Sequence, residues 1–170
     1  MDFLASKYTL KGFKSGIANL PRSLDEVYMI ALNRISSQVE FKRDLAIKLL
    51  PWLVFAERPL TITELTHALA VQVGDKSLPE DRFVTEETLI SACAGIVVVD
   101  QGTNAVRLAH YTAEKYLRDN ESRIFKDANR IWRRLVLRYL SFKEFDQFLS
   151  LEEVADRRKK YPFIGYAADR

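Results

Sequence analysis

Cysteine occurs once in the 170 residues, as Cys93, so no disulfide can close within the chain. Histidine occurs twice, as His67 and His110, and two distant imidazoles with one thiol fall short of the four regularly spaced ligands of a structural zinc site; no metal is expected. Glycine is scarce, with six residues, and none lies in a Gly-x-x-x-x-Gly-Lys phosphate loop or a Gly-x-Ser-x-Gly nucleophile turn. Lys11-Gly12-Phe13-Lys14-Ser15 ends in Lys-Ser but lacks that glycine pattern. No apolar run approaches about 18 residues and no secretory leader is visible, which points to a soluble, cytoplasmic protein. Without such a leader the glycosylation match at Asn120-Glu121-Ser122 is accidental. Together these absences argue against an independent enzyme and against a cofactor held by this chain alone.

What is present is charge of both signs, unevenly placed. Lysine and arginine number 26 against 23 acidic residues, a net +3. Residues 61–120 carry five positive and nine negative side chains, whereas residues 121–170 carry twelve and eight. The middle of the chain is acidic and its C-terminal flank basic.

Periodicity and capping signals divide the chain into short helices. Pro21 precedes Ser23-Leu24-Asp25-Glu26, a capping box that starts a helix to about Ser37, with Leu24, Val27, Tyr28, Ala31, Leu32 and Ile35 on one stripe. A helix over residues 40–56 is apolar on more than one face and contains Pro51, which predicts a kink near residues 47–51 and makes Trp52 and Phe55 core anchors. Thr61 and Glu64 form a second capping box, opening a helix to about Val71 with Leu65, Ala68 and Leu69 inward. Thr85 caps a third helix, which carries Glu86 and Glu87 in its first turn and ends at Gly95. Residues 96–99 are β-branched, residues 101–104 make a polar tip, and residues 105–108 alternate as a strand. Thr112 then caps a helix to about Arg118. A longer helix covers residues 124–140, with Ile124, Ala128, Ile131, Leu135, Val136 and Tyr139 on its buried face and Arg130, Arg134 and Arg138 in a row. Short helices follow at residues 142–149 and 152–160, and Tyr161-Pro162-Phe163 opens a last apolar segment.

Three short helices followed by a two-stranded hairpin is the order of a winged helix-turn-helix. The expected fold is therefore mostly α, a winged helix at residues 41–120 between a helical tail at 1–40 and a helical linker at 121–170. On this fold His67 reads as a surface or boundary residue, and Cys93 as a small buried hydrophobe rather than a nucleophile. A winged helix often binds duplex DNA, for which lysines and arginines must meet phosphates. Here the third helix has two glutamates and no basic residue, the wing tip is uncharged, and Asp100 adds a negative charge. That surface repels DNA.

Four stretches in order, Leu20-Pro21-Arg22-Ser23-Leu24-Asp25-Glu26-Val27-Tyr28, Phe55-Ala56-Glu57-Arg58-Pro59-Leu60-Thr61, Cys93-Ala94-Gly95-Ile96-Val97-Val98-Val99-Asp100 and His110-Tyr111-Thr112-Ala113-Glu114-Lys115-Tyr116-Leu117, carry a family resemblance. The chain resembles, over residues 20–168, the winged-helix segment that follows the NACHT nucleotide-binding domain in fungal NLR-like signalling ATPases. This segment is also called the GPI inositol-deacylase-type winged helix, and ankyrin repeats commonly follow it. Tyr161-Pro162-Phe163-Ile164-Gly165-Tyr166-Ala167-Ala168 is similar to the lead into those repeats. The resemblance implies a module that packs on the nucleotide-binding domain and restrains its opening. It also implies that His110, at the end of the wing, contacts the phosphate of bound ADP. Capping or packing at the strand end is the other role open to His110.

The expected function is thus a regulatory, protein-binding module of a NACHT ATPase, joined in the same chain or met as a separate partner. Two alternatives stay open: a nucleic-acid binder using Arg130, Arg133, Arg134 and Arg138, and a structural spacer. A mobility-shift assay with duplex DNA at low salt should show no complex; a complex that weakens steeply with salt would favour the nucleic-acid alternative.

Overall fold

A computed structural model describes residue 21 and residues 23–125, 128–146 and 150–168, with the side chains of residues 128–133 and 151–152 left aside. Residues 1–20 of the helical tail expected at 1–40, and the side chains of Ala128, Arg130, Ile131 and Arg133, lie outside the described residues.

The architecture is set by helix α2 (Glu40–Phe55), whose Leu45, Ala46, Leu49, Leu50, Pro51, Trp52 and Val54 are all buried. A helix apolar on several faces needs neighbours on several sides. They are α1 (Leu24–Ser36), α3 (Ile62–Ala70), α4 (Glu86–Ala92), α5 (Tyr111–Asp119) and α7 (Ala128–Leu140). The helix runs through Pro51 to Phe55, although proline offers no N–H to the carbonyl of Ile47.

The structure corrects several expectations for the helices. On α1 only Tyr28, Ala31 and Ile35 are buried, while Leu24 and Val27 are 55 % and 41 % exposed, because α2 and α5 cover a narrow strip of this helix. Ser23 caps α1 by accepting from the Glu26 amide at 3.2 Å. The predicted helix at residues 124–140 is two helices, α6 (Glu121–Ile124) and α7, with a break at Phe125. Phe125 takes a non-helical backbone and turns inward against Phe55, ring centroids 6.1 Å apart. Of the predicted helix at residues 142–149, a 3-10 turn at Lys143–Phe145 is present, and residues 147–149 lie outside the described residues. Helices α8 (Leu151–Lys160) and α9 (Phe163–Ala168) follow, α8 opened by a Ser150–Glu153 capping box. Arg134 is exposed and Arg138 half-buried on α7.

The wing is larger than its hairpin. Strand β3 (Ala105–Leu108) pairs antiparallel with β2 (Val97–Val99), matching Val97 with Leu108 and Val99 with Val106. It also pairs with a two-residue strand β1 (Leu60–Thr61), missed in the sequence, which sets Leu60 against Val106. The sheet order is β1-β3-β2. Gly95, at φ +87°, ends α4 in the left-handed region as expected, and Ala94 beside it stands at φ +50°. These two residues turn the chain directly from helix to strand.

The C-terminal helices share the same core. Phe163 packs edge-on against Trp52 at 5.4 Å and against Tyr139 at 5.0 Å, and Tyr166 is buried with them. Leu49→Ala should empty a fully buried site at the centre of α2 and lower unfolding stability by about 2–5 kcal/mol, read from urea midpoints.

His67 is a second correction to the sequence reading. It is buried on α3, 8 % exposed, its ring 4.8 Å from that of Phe83 and its Nδ1 3.4 Å from the Tyr139 hydroxyl. The inward face of α3 is wider than the three apolar residues suggested, because α7 and the 3-10 turn at Glu80–Arg82 cover it from two sides. Burial lowers the His67 pKa below 6.5, partly opposed by the charge of Glu80. The unfolded chain therefore takes up a proton here before the folded one does. Stability should be complete above about pH 6.5 and fall as pH drops through the lowered folded value. Urea midpoints between pH 8 and pH 5 should show this slope, and His67→Gln should flatten it.

Candidate functional site

A recess that includes the sequence-predicted site residue His110 lies at the foot of the wing, where the end of α2, strand β1, strand β3 and the start of α5 meet. It has a volume of about 340 Å³, and its lining includes Trp52, Arg58, Arg107, His110, Tyr111 and Glu114.

One wall is fixed by the capping box of α3. The Thr61 Oγ1 accepts from the Glu64 amide at 3.3 Å, and Glu64 Oε2 accepts from the Thr61 amide at 2.8 Å. The same carboxylate takes both guanidinium nitrogens of Arg58, at 3.1 and 2.6 Å, a charge-assisted two-pronged pair. Burial pushes the Glu64 carboxyl up, but the hydrogen bonds from Arg58 and Thr61 outweigh it and hold the group below its ordinary range. Arg58 also lies over the Tyr166 ring, 5.1 Å from its centroid. The helix cap thereby positions an arginine at the recess and ties it to the C-terminal helix α9.

The wing supplies the opposite wall. Asp100 Oδ1 accepts from the Gly102 amide and from the amide and hydroxyl of Thr103, at 3.1, 3.0 and 2.9 Å, which shapes the tip. Its other oxygen pairs with Arg107. The Thr103 hydroxyl and amide, helped by Arg107, hold the Asp100 carboxyl below the usual range. The sequence gives Asp100 as a bare negative charge on the wing; across the hairpin Arg107 neutralises it. Glu86 and Glu87 remain exposed on the first turn of α4.

His110 stands where β3 passes into α5. The Ala109 amide donates to the Ile96 carbonyl at 2.9 Å and pins the strand exit, and His110 then takes an extended backbone at φ −150° and ψ 147°. It, rather than Thr112, is the N-cap of α5: its Nδ1 accepts from the Thr112 amide at 3.3 Å. Thr112 sits inside the helix and turns its hydroxyl to the same nitrogen, at 2.8 Å. An amide N–H can only donate, so Nδ1 must present its lone pair, and the neutral ring carries its proton on Nε2. The side chain is exposed, with the Tyr111 ring 4.6 Å from the imidazole. The capping role expected for His110 is thus present, and the imidazole that caps the helix through one nitrogen keeps a donor on the other.

The remaining chemistry-bearing residues lie elsewhere. Cys93 is fully buried, and burial pushes its thiol up to about 12, far from a reactive thiolate. Among the described residues no group of three or more histidine, cysteine or acidic side chains is placed to hold a metal ion. No helix of the described residues is long and apolar enough to cross a membrane.

Comparison with known proteins agrees with this architecture. The chain is 32 % identical over 107 residues to azaphilone pigments biosynthesis cluster protein L of Monascus ruber, a match covering 58 % of this chain and 22 % of that protein. It therefore spans about a fifth of the length of this curated relative. No solved structure matches. A model of the GPI inositol-deacylase winged helix domain matches residues 32–126, more than half of the chain, from α1 through the wing to Phe125 and the residue after it. A central apolar helix, a capped pair of helices in front of a three-stranded wing, and this match over the same residues place the chain in the GPI inositol-deacylase winged-helix domain family.

Proposed function

We propose that this winged helix is a non-catalytic regulatory module that packs on a NACHT-type nucleotide-binding domain, in the same polypeptide or as a separate partner. In this reading His110 lends its Nε2–H to a phosphate of the ADP held there. The observation that carries it is the cap of α5: because Nδ1 is engaged by Thr112, the ring is held in one orientation and its remaining donor is on an exposed edge. A phosphate oxygen beside Nε2 accepts a hydrogen bond from the neutral ring while Nδ1 keeps its place in the cap. Arg58 and Arg107, each held in place by a carboxylate, line the same recess.

Packing on a protein also suits the exposed surface of the winged helix, where Glu86 and Glu87 occupy the position from which other winged helices address DNA. The regulatory role, the partner and a cytoplasmic setting belong together in this reading.

The test is co-purification of this chain with a cognate NACHT domain, followed by ADP retained after gel filtration. His110→Asn keeps a good helix cap and removes the Nε2 donor; His110→Ala removes both. Both variants should retain several-fold less ADP, and only the alanine variant should also lose about 1 kcal/mol of stability. Retention equal to wild type in both would remove the phosphate role. Failure of the wild-type chain to associate would remove the docking role.

A further inference from the structure

Tyr28 lies 82 residues before His110, on a helix that contributes nothing to the recess, yet its hydroxyl is 2.6 Å from Thr112 Oγ1. Thr112 Oγ1 is in turn 2.8 Å from His110 Nδ1. These three groups form a chain of hydrogen bonds from the buried face of α1 to the imidazole.

The direction of that chain follows from its far end. The Thr112 amide, donating to Nδ1 at 3.3 Å, fixes that nitrogen as an acceptor. The hydroxyl proton of Thr112 then points to Nδ1 as well, and its oxygen is left with lone pairs only. Tyr28 must donate to it. A tyrosine that accepted instead would draw the Thr112 proton away from the ring, leaving the Thr112 oxygen to accept from a protonated Nδ1, which the capping amide opposes. Tyr28 itself is held: it is 9 % exposed, its ring 5.4 Å from that of Tyr116 on α5.

We propose that Tyr28 is a positioning residue for His110, acting through the Thr112 hydroxyl to reinforce the hold of the Thr112 amide on Nδ1, so that the seating of α1 on α5 helps set which donor the imidazole offers at the recess. Removing the Tyr28 hydroxyl leaves the long 3.3 Å amide contact to hold Nδ1 as an acceptor, while the Thr112 hydroxyl is free to rotate and its oxygen competes with that amide by accepting from Nδ1–H. The exposed nitrogen then becomes, for part of the time, an acceptor that repels a phosphate. The regulatory consequence rests on the reading of His110 as a phosphate contact; the relay itself does not.

The experiment is long-range proton–nitrogen NMR of the ring nitrogens in the full chain at about pH 8.5, where imidazoles are neutral. The spectrum of His110→Asn, in which His67 is the only histidine left, assigns the two rings. In the wild type His110 should show an unprotonated Nδ1 and a protonated Nε2, well separated. Tyr28→Phe, which keeps the ring packing, and Thr112→Val should both move Nδ1 toward the protonated value and Nε2 away from it, with His67 unmoved. Thr112→Ser should restore the wild-type pattern. A wild-type ring protonated on Nδ1, or a His110 pattern unchanged in Tyr28→Phe and Thr112→Val, would overturn the proposal. Since no nucleotide enters this measurement, a relay that passes while His110→Asn retains ADP normally condemns only the phosphate reading, and the reverse combination condemns only the relay.

Discussion

A helix with apolar residues on several sides is stable only when surrounded, and α2 imposes that condition on everything else. Leu49, Leu50, Trp52 and Val54 are each no more than 2 % exposed, and helices α1, α3, α4, α5, α7 and α9 with strand β3 pack on α2 around them. Burial of such side chains is worth about 1.5–3 kcal/mol apiece, so a chain this size gains much of its cohesion around one rod. The C-terminal helices belong to that arrangement. Trp52 meets Phe163 and Tyr166 in edge-on contacts, and Tyr139 joins the same aromatic group.

The second constraint is the supply of partners for backbone groups at helix starts. Four of the described helices are opened by side-chain oxygens, from Ser23, Thr61, Thr85 and Ser150, the residues usually found there. At α5 the task falls to an imidazole nitrogen. A serine or asparagine would serve the helix as well, so the histidine brings something the helix does not need: a second ring nitrogen. At Glu64 one carboxylate likewise does two things, closing the capping box of α3 and holding Arg58 at the recess. Local folding requirements and the recess are met by the same atoms.

Much of this was legible in the chain. The order of helices and the hairpin follow from apolar spacing, from capping boxes such as Thr61-Ile62-Thr63-Glu64, and from Gly95, because these signals act over a few residues. What escaped depends on distant partners. His67 reads as a boundary residue until Phe83 and Tyr139, at separations of 16 and 72 residues, are seen to enclose it. Two residues are too few to show a strand's alternation, so β1 is invisible without Val106 opposite Leu60. Phe125 leaves the helix although the periodicity runs straight past it, and its buried ring meets Phe55, a partner 70 residues away. Of the two roles open to His110, the cap needed Thr112 to be placed beside Nδ1 before it could be seen.

Thr61 belongs to two elements at once, pairing with Ala105 in the sheet while capping the first turn of α3. The Ile62 amide, next along, donates to the carbonyl of Asn104 at the wing tip. The hairpin is therefore stitched to the start of α3 at this threonine. From there Glu64 and Arg58 carry an unbroken line of contacts to the Tyr166 ring on α9, so the wing tip and the last described helix are joined through a single helix start.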